Sequence, residues 1–360
     1  CAVTKSKSYQ EAWDKTMGRR RRRQQNTCSS RLIGIIVTLK AFLGCWAFSI
    51  IIGNTTERLL HTLGWHSVTN MESLIGITIL VLLPLAMAER LSSLAAFSVV
   101  GVMGTFITGF TMALRYFDGS YREGGKFYKD LPADGVPSFG HKGWRSFFTP
   151  QALILVSILS TGYQAHYNAP KYYSELKDHS TGRFNVVITV SFFISTLTYM
   201  VFSSLGFLTF GQNADGYILD NYSTRDIMAT VSRFGVLFSL VFAYPLLFLG
   251  GRDGLMQLLG MSTTDTIRVR IVSLVFVAIV TVLAIYENNL TFVLSFGGAT
   301  LSSTIIYIIP PLMFRALFLN CRCHIVQSQV WKVRMAMGML VMGVILGICG
   351  ATMSVIQAYG

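Results

Sequence analysis

Charge is scarce in this chain. Asp, Glu, Lys and Arg together make up 13% of its 360 residues, only 17 of them acidic, against 52% hydrophobic residues. So few charges cannot cover a soluble surface, which excludes an ordinary soluble globular protein. Catalytic signatures are missing as well. There is no H-E-x-x-H pair, no pair of intramembrane aspartates and no cysteine-rich zinc spacing. No metal, cofactor or catalytic residue is therefore assigned, and a membrane-embedded enzyme built on a histidine at membrane depth is the weakest reading. Cysteine is sparse, at six residues.

What the chain does contain is long apolar runs. Mean hydropathy is +0.52, and nine runs reach about 18 or more mostly apolar residues, enough to cross a bilayer as helices: 32–53, 73–90, 94–115, 149–172, 184–209, 227–249, 269–286, 290–314 and 335–358. The expected organisation is an all-α polytopic membrane bundle over 32–360, preceded by a basic tail at 1–31, with one long loop at 116–148. That loop is rich in glycine and mixed charge and holds Pro132 and Pro137. It either folds over the outer mouth or is disordered.

The formal charge of +13 would point to nucleic acid in a soluble protein, but here its placement matters more. With residues 1–31 in the cytoplasm and nine alternating spans, cytoplasmic segments hold 20 of the 30 Lys and Arg, outer segments hold 9, and Lys40 is left within a span. The positive-inside rule supports a cytoplasmic N-terminus and a C-terminus on the other side. The sequons at Asn54, Asn221 and Asn289 then fall outside. Cys1, Cys28, Cys321 and Cys323 fall inside and Cys45 and Cys349 within spans, so no disulfide is expected in the outer loops. The run Arg19–Arg23 reads as a nuclear-localisation or RNA-binding tract or, more simply, as a topology anchor that touches anionic lipid. The partners expected are lipid and a small molecule, not nucleic acid.

The most informative stretch is Thr149–Leu176, a membrane-length apolar helix interrupted by Ser160, Thr161, Gly162, Tyr163, Gln164, His166, Asn168 and Pro170. A broken span exposes backbone groups that lipid cannot satisfy, so it persists only when buried in protein or lining a watery cavity. The break is thus a candidate binding site, against the plain alternative of a kink repaired by neighbouring helices. His166, an imidazole at membrane depth, is either a proton carrier or an interhelical hydrogen-bonding group. Lys40 either snorkels to the cytoplasmic side or serves as a cation that replaces a metal ion or pairs with substrate. Asn168 and Lys171 read as gate or structural residues. Spans 73–90 and 94–115, joined near Arg90, Ser92 and Ser93, are expected to pack as an antiparallel hairpin through Gly101, Gly104 and Gly109.

Several ordered segments carry a resemblance: Ser8-Tyr9-Gln10-Glu11-Ala12 with Gly18, Leu83-Pro84-Leu85 through Leu91-Ser92-Ser93-Leu94, His166-Tyr167-Asn168-Ala169-Pro170-Lys171 with Tyr173-Ser174-Glu175-Leu176, Phe242-Ala243-Tyr244-Pro245-Leu246, and Ser295-Phe296-Gly297-Gly298-Ala299 through Ile309-Pro310-Pro311. Together they resemble the amino acid/auxin permease family of the amino acid, polyamine and organocation transporter superfamily. The resemblance implies an inverted-repeat transporter fold of eleven helices, in which the nine spans match helices three to eleven and substrate binds between broken helices one and six. The first two helices have no counterpart in this sequence. With an odd span count and Cys1 as the first residue, an incomplete chain is expected.

On that resemblance the function is secondary active transport of amino acids by alternating access. The alternative is a non-transporting amino-acid sensor on the same fold. Substrate-binding candidates are Thr161, Gly162, Tyr163, His166, Tyr244 and Ser295, and ion-coupling candidates are His166, Ser239 and Lys40. Superfamily sodium sites use hydroxyls on helix eight. Here Ser232 and Ser239 supply them, while Val241, Phe242 and Ala243 are apolar. Hard cations need several oxygen ligands, so the expectation is H+ more than Na+. Ser295, Thr300, Ser302 and Ser303 form a polar strip that either lines the cavity or bonds between helices. Plasma membrane and vacuolar or lysosomal membrane fit this topology equally.

Overall fold

The computed structural model describes residues 6, 9–17, 28–87, 97–132, 135–140, 149, 151–178, 180–262, 265–320 and 330–359. The Arg19–Arg23 run, Gly18, the turn at Arg90 to Ser93, Cys1, Cys321 and Cys323 lie outside them, as do the side chains of Cys28 and Lys171. Among the described residues the elements are helices: α1 (Tyr9–Met17), α2 (Cys28–Thr62), α3 (Asn70–Ile77), which runs on through a π-helical turn into α4 (Leu83–Ala86), α5 (Phe97–Phe117), α6 (Gln151–Gly162), α7 (Ala169–Glu175), α8 (Thr181–Phe210), α9 (Ile227–Leu258), α10 (Thr266–Tyr286), α11 (Leu290–Gly297), two further π-helical turns at Gly298–Ser302 and Thr304–Ile308, α12 (Ile309–Asn320) and α13 (Val330–Tyr359).

Six helical stretches among the described residues are long and apolar enough to cross a membrane: Arg31–Thr62, Thr181–Phe210, Ile227–Leu258, Thr266–Tyr286, Leu290–Phe318 and Val330–Tyr359. The other three expected spans correspond to the shorter apolar helix Asn70–Ala86, to α5 and to the broken pair α6 and α7. Apolar side chains face outward along the helices, among them Phe193 and Met200 of α8 and Ile348 of α13. Exposed apolar surface on this scale marks a lipid-facing bundle.

Local chemistry sets the ends. Thr69 and Glu72 form a reciprocal capping box at the start of α3, and Ser180, Asp226, Asp265 and Asn289 each accept an amide hydrogen bond as helix α8, α9, α10 or α11 begins. Helix α8 stops at Gly211, where φ is 65°, a left-handed conformation that glycine adopts without a Cβ penalty.

Helices α2 and α9 cross at the centre of the bundle. A Cβ on Gly44 would lie 2.6 Å from Leu247 Cδ2, and one on Gly251 3.2 Å from Ala41 Cβ, so small residues set the spacing. Around the crossing, Cys45, Ile52, Leu82, Val241, Tyr244 and Phe248 form a buried apolar cluster with Phe276 and Val280 of α10.

The glycines of α5 do not serve the expected hairpin. A Cβ on Gly101 would stand 2.5 Å from Ser239 Oγ, one on Gly104 2.7 Å from the Gly235 carbonyl oxygen, and one on Gly109 3.1 Å from the Phe202 ring. They seat α5 against α9 and α8, because it is the α9 backbone that approaches closely.

The described part of loop 116–148 is folded against the segment after α8. Ser138 N donates to the Phe210 carbonyl at 3.2 Å, Tyr121 OH receives Ser223 N at 3.0 Å, and Tyr121, Phe127, Phe210 and Tyr222 share a buried aromatic cluster. Asp226 anchors this end. It is 0% exposed, receives Arg115 Nε and Nη2 at 2.8 and 2.7 Å and Tyr121 OH at 3.0 Å. Arg233, within the expected span 227–249, lies inside α9 and is fully buried. It donates to the carbonyls of Leu219 at 2.8 Å and Tyr222 at 2.5 Å, so backbone dipoles hold it at a depth where lipid could not. The Asn221 sequon amide is likewise engaged, donating to Asn213 O at 2.7 Å.

The basic tail is not wholly separate from the bundle. Helix α1 packs Tyr9 and Trp13 against Ile33, Ile305 and Ile309, and Tyr9 OH donates to the Ile305 carbonyl at 2.8 Å.

Candidate functional site

Helix α6 ends at Gly162 and does not continue directly into α7. Tyr163 N still reaches the Leu159 carbonyl at 2.8 Å, but Gln164 N lies 3.4 Å from Thr161 O, and Ala165 N bonds only two residues back, to Tyr163 O at 3.0 Å. A 3-10 turn at His166–Asn168 then leads into α7, with Pro170 in its first turn, where a missing N–H costs nothing. Glycine at one edge and proline at the other open the helix.

Against this break lies the irregular part of Leu290–Asn320. The π-helical turns at Gly298–Ser302 and Thr304–Ile308 carry one extra residue per turn, a departure often found at functional sites. They are followed by Pro310 and Pro311, which lack amide donors. A Cβ on Gly298 would fall inside the van der Waals surface of the Ser157 carbonyl and 2.8 Å from Thr161 Oγ1. Glycine is what lets the two irregular helices touch.

The contact assembles one polar network from three elements. Lys40 Nζ of α2 donates to Ser302 Oγ at 2.9 Å, Ser302 Oγ donates to Gln164 Oε1 at 2.9 Å, and Thr161 Oγ1 lies 3.3 Å from Ser302 Oγ while donating to the Leu294 carbonyl at 3.0 Å. Among the described residues, Gln164 Nε2 and His166 Nδ1 are buried without a hydrogen-bond partner. Because buried polar groups are normally paired, two orphan atoms in one short break are a notable feature.

Cavities lie on either side of the network. One of about 1150 Å³ is lined by Lys40 and Val37 of α2, Tyr167 and Asn168 of the break, Ile305, and residues of α1 and α9. A second, of about 490 Å³, is lined by Asn54, Asp215, Asp220, Ser295 and Gln357. Along α2, Lys40 faces the first and Asn54 the second. Along 290–320, Ile305 faces the first, Ser295 the second, and Ser302 sits between them. In the second cavity Asp220 pairs with Arg58 at 2.6 Å. Burial pushes its carboxyl above the usual range, with Arg58 pulling the other way.

The remaining expected site residues divide. Gly162 is exposed, and its carbonyl accepts Tyr199 OH at 3.3 Å. Tyr163 turns towards α8, donating to Thr196 Oγ1 at 2.8 Å and stacking on Phe192 at 5.6 Å. Tyr244 is 0% exposed within the central apolar cluster, and Ser239 packs against Gly101. Ser232 is bonded to Thr111 Oγ1 at 3.0 Å. Ser295 donates to its own helix at Phe292 O, 3.2 Å, and Ser303 to Gly298 O, 3.1 Å. The structure thus joins Thr161 and Lys40 to Ser302 and Gln164 and leaves Tyr244 and Ser239 elsewhere. Gln164 was visible in the sequence only as one interruption among eight. Among the described residues no group of three or more His, Cys, Asp and Glu is placed to hold a metal ion.

A family model described as "Transmembrane amino acid transporter protein" matches residues 2–356. Curated relatives include sodium-coupled neutral amino acid transporter 7 of Xenopus laevis, 25% identical over 89% of this chain and 71% of its own length. The transporter of the same name in Danio rerio is 24% identical over 89% and 70%. Vacuolar amino acid transporter 5 of Schizosaccharomyces pombe is 25% identical over 76% and 63%. The matches span 61% of the length of a bovine relative and 71% of the Xenopus one.

Proposed function

Because this chain belongs to the transmembrane amino acid transporter protein family, we propose that it moves amino acids across a membrane by alternating access, with substrate held at the break between α6 and α7. The observation that carries the reading is the position of the Lys40, Ser302, Gln164 and Thr161 network between two cavities, on two helices that have both lost regular hydrogen bonding there. Unwound backbone inside a membrane protein offers free donors and acceptors to a zwitterion. Rocking of the surrounding helices opens first one cavity and then the other to the network. Thr161 and the free backbone around Gly162 contact substrate. Tyr163 and its α8 partners form one wall, and Ser295 lies on the path from the second cavity. Tyr244 acts from the supporting core.

Transport is driven by a coupling ion. His166, with its orphan Nδ1 among the described residues, is the proton-carrying candidate, and the reading is supported by the engagement of the Ser232 hydroxyl with Thr111 and the packing of Ser239 against α5. Sodium is the second reading, favoured by the names of the Xenopus and Danio relatives. The N-terminus faces the cytoplasm, as the charge asymmetry favours, in a plasma or a vacuolar or lysosomal membrane.

Uptake into proteoliposomes with the two gradients imposed separately tests this. A pH gradient is expected to drive accumulation of neutral amino acids several-fold above equilibrium, and His166→Ala to flatten the dependence on pH. Accumulation driven by sodium alone, with a pH profile unchanged in His166→Ala, would assign coupling to sodium. No accumulation under either gradient would favour a sensor.

A further inference from the structure

Helix α1 is fastened to the bundle by a hydrogen bond that the sequence of the 290–320 helix calls for. In a regular helix the Ile305 carbonyl would accept from the amide of Ile309, four residues on. Across the π-helical turn at Thr304–Ile308, however, Ile309 N donates one residue further back, to Thr304 O. The amide that this wider register would offer Ile305 instead belongs to Pro310 and has no hydrogen. Neither amide that could serve Ile305 O in its own helix does so. A buried carbonyl needs a donor, and Tyr9 OH of α1 supplies it at 2.8 Å. Burial pushes the Tyr9 phenol further above its ordinary pKa, so it stays a donor at physiological pH.

The seat of α1 shows what that bond can control. Tyr9 and Trp13 are buried against Ile33 of α2 and against Ile305 and Ile309, with Tyr167 of the break packed beside them. A Cβ on Gly34 would stand 3.5 Å from Gln10 Oε1, so α1 rests directly on α2, and Tyr9 and Gln10 belong to the wall of the 1150 Å³ cavity. One short helix therefore touches all three elements that build the network. Ser302, which closes the preceding π-helical turn, lies three residues before the carbonyl that Tyr9 holds. That carbonyl has two possible partners. With α1 docked it takes Tyr9 OH while Ile309 N reaches back to Thr304. With α1 withdrawn, Ile309 N can return to Ile305 O, which closes the π-helical turn into regular helix and rotates Ser302 relative to Pro310. A choice between two discrete pairings is a bistable element.

We propose that Tyr9 is a positioning residue for transport. By holding the Ile305 carbonyl it keeps the 304–308 turn in the π-helical form that aims Ser302 at Lys40 and Gln164, and its release accompanies opening of the larger cavity. The inference rests on the network serving transport. It assigns to α1 a part in the cycle that its packing alone would not require, because the docked helix and the irregular turn depend on one shared oxygen.

The test reads the docking of α1 apart from transport. In purified protein whose six native cysteines are replaced by alanine, Ile33→Cys places a thiol beneath α1, and its rate of alkylation by a maleimide reports how often α1 lifts. Tyr9→Phe keeps the ring and removes the hydroxyl, and should speed alkylation about fivefold, the worth of one hydrogen bond to an otherwise unserved carbonyl. Pro310→Ala returns an amide hydrogen to the position from which the π-helical register serves Ile305 O. In that background Tyr9→Phe should change the rate by less than about twofold, a coupling that packing alone would not produce. Uptake in proteoliposomes should follow the same pattern, with the maximal rate lowered about fivefold by Tyr9→Phe and KM unchanged. Should Pro310→Ala not fold, amide hydrogen exchange over 304–309 decides, and Tyr9→Phe is expected to speed it. No acceleration by Tyr9→Phe, the same factor in both backgrounds, or unchanged exchange over 304–309 would overturn the proposal. The expected alkylation pattern in a protein that takes up nothing would support the Tyr9 switch and overturn the transport reading on which its role rests.

Discussion

Replacing Gly298 with alanine is expected to abolish uptake and to lower the thermal midpoint of the protein in detergent. The added Cβ would be driven into the Ser157 carbonyl and to 2.8 Å from Thr161 Oγ1. Both obstacles belong to the α6 chain, and the nearer one is the Ser157 backbone, which cannot swing aside. Overpacking of a tight helix contact costs about 1–3 kcal/mol and sometimes more. Here relief requires α6 to separate from the 298–302 turn, which breaks the Thr161 and Ser302 contact at the same time. Loss of uptake with a lowered midpoint is the expected pair of results. Uptake within twofold of wild type would mean that the two helices do not meet in this way. Gly182, whose Cβ would meet nothing within 4 Å, provides the control, and Gly182→Ala should leave both quantities unchanged.

The second large effect lies away from the break. Asp226→Ala removes both oxygens that hold the Arg115 fork, the acceptor for Tyr121 OH, and the side chain that caps α9 through Met228 N at 3.0 Å. Removing one partner of a buried ion pair costs about 3–5 kcal/mol when the other charge is left unanswered; Asp118, 2.7 Å from Arg115 Nη1, still meets part of that charge, so the lower end of that range is expected, and the lost cap adds about 1 kcal/mol. Asp226→Ala is thus expected to be the more destabilising change, seen as poor membrane yield and a large drop in thermal midpoint. Pairing it with Arg115→Met should recover part of the loss, since no guanidinium deprived of its buried acceptors remains. A double variant as unstable as the sum of the two single ones would show that the pair contributes nothing beyond its separate groups.

Much of this arrangement is legible in the sequence, for identifiable reasons. Apolar runs of membrane length report directly on helices, because lipid enforces them without tertiary help. The break is legible because Gly162 and Pro170 bracket a polar patch that no lipid-facing helix tolerates. Less legible is which helix each small residue faces. Gly101 and Gly104 announce a close contact, but only the fold assigns it to Gly235 and Ser239 and not to the neighbouring span. Buried polar residues are harder still. Lys40 and Ser302 are 262 positions apart, and neither residue carries a local sign that the π-helical turns would aim one at the other. Tyr244 shows the converse. A tyrosine beside a proline in a membrane helix looks like pocket chemistry, yet its ring fills the α2, α9 and α10 core. Arg233 falls within the expected 227–249 span, and nothing in its flanks reveals that three carbonyls of the 219–223 segment fold back over it.

The central claim is that the opening between α6 and α7 holds the substrate and is not a kink mended by its neighbours. Gly162→Leu tests it most directly, with uptake measured alongside membrane abundance and thermal midpoint. Gly162 is exposed, and a Cβ there would stand 3.2 Å from the hydroxyl end of the Tyr199 side chain and clear of any backbone atom within 4 Å among the nearest contacts, so the protein should keep its fold while the isobutyl group fills the space beside the free backbone. The expected result is normal abundance and midpoint with uptake at background. Uptake by Gly162→Leu at the wild-type level would contradict the account and return the break to a structural kink.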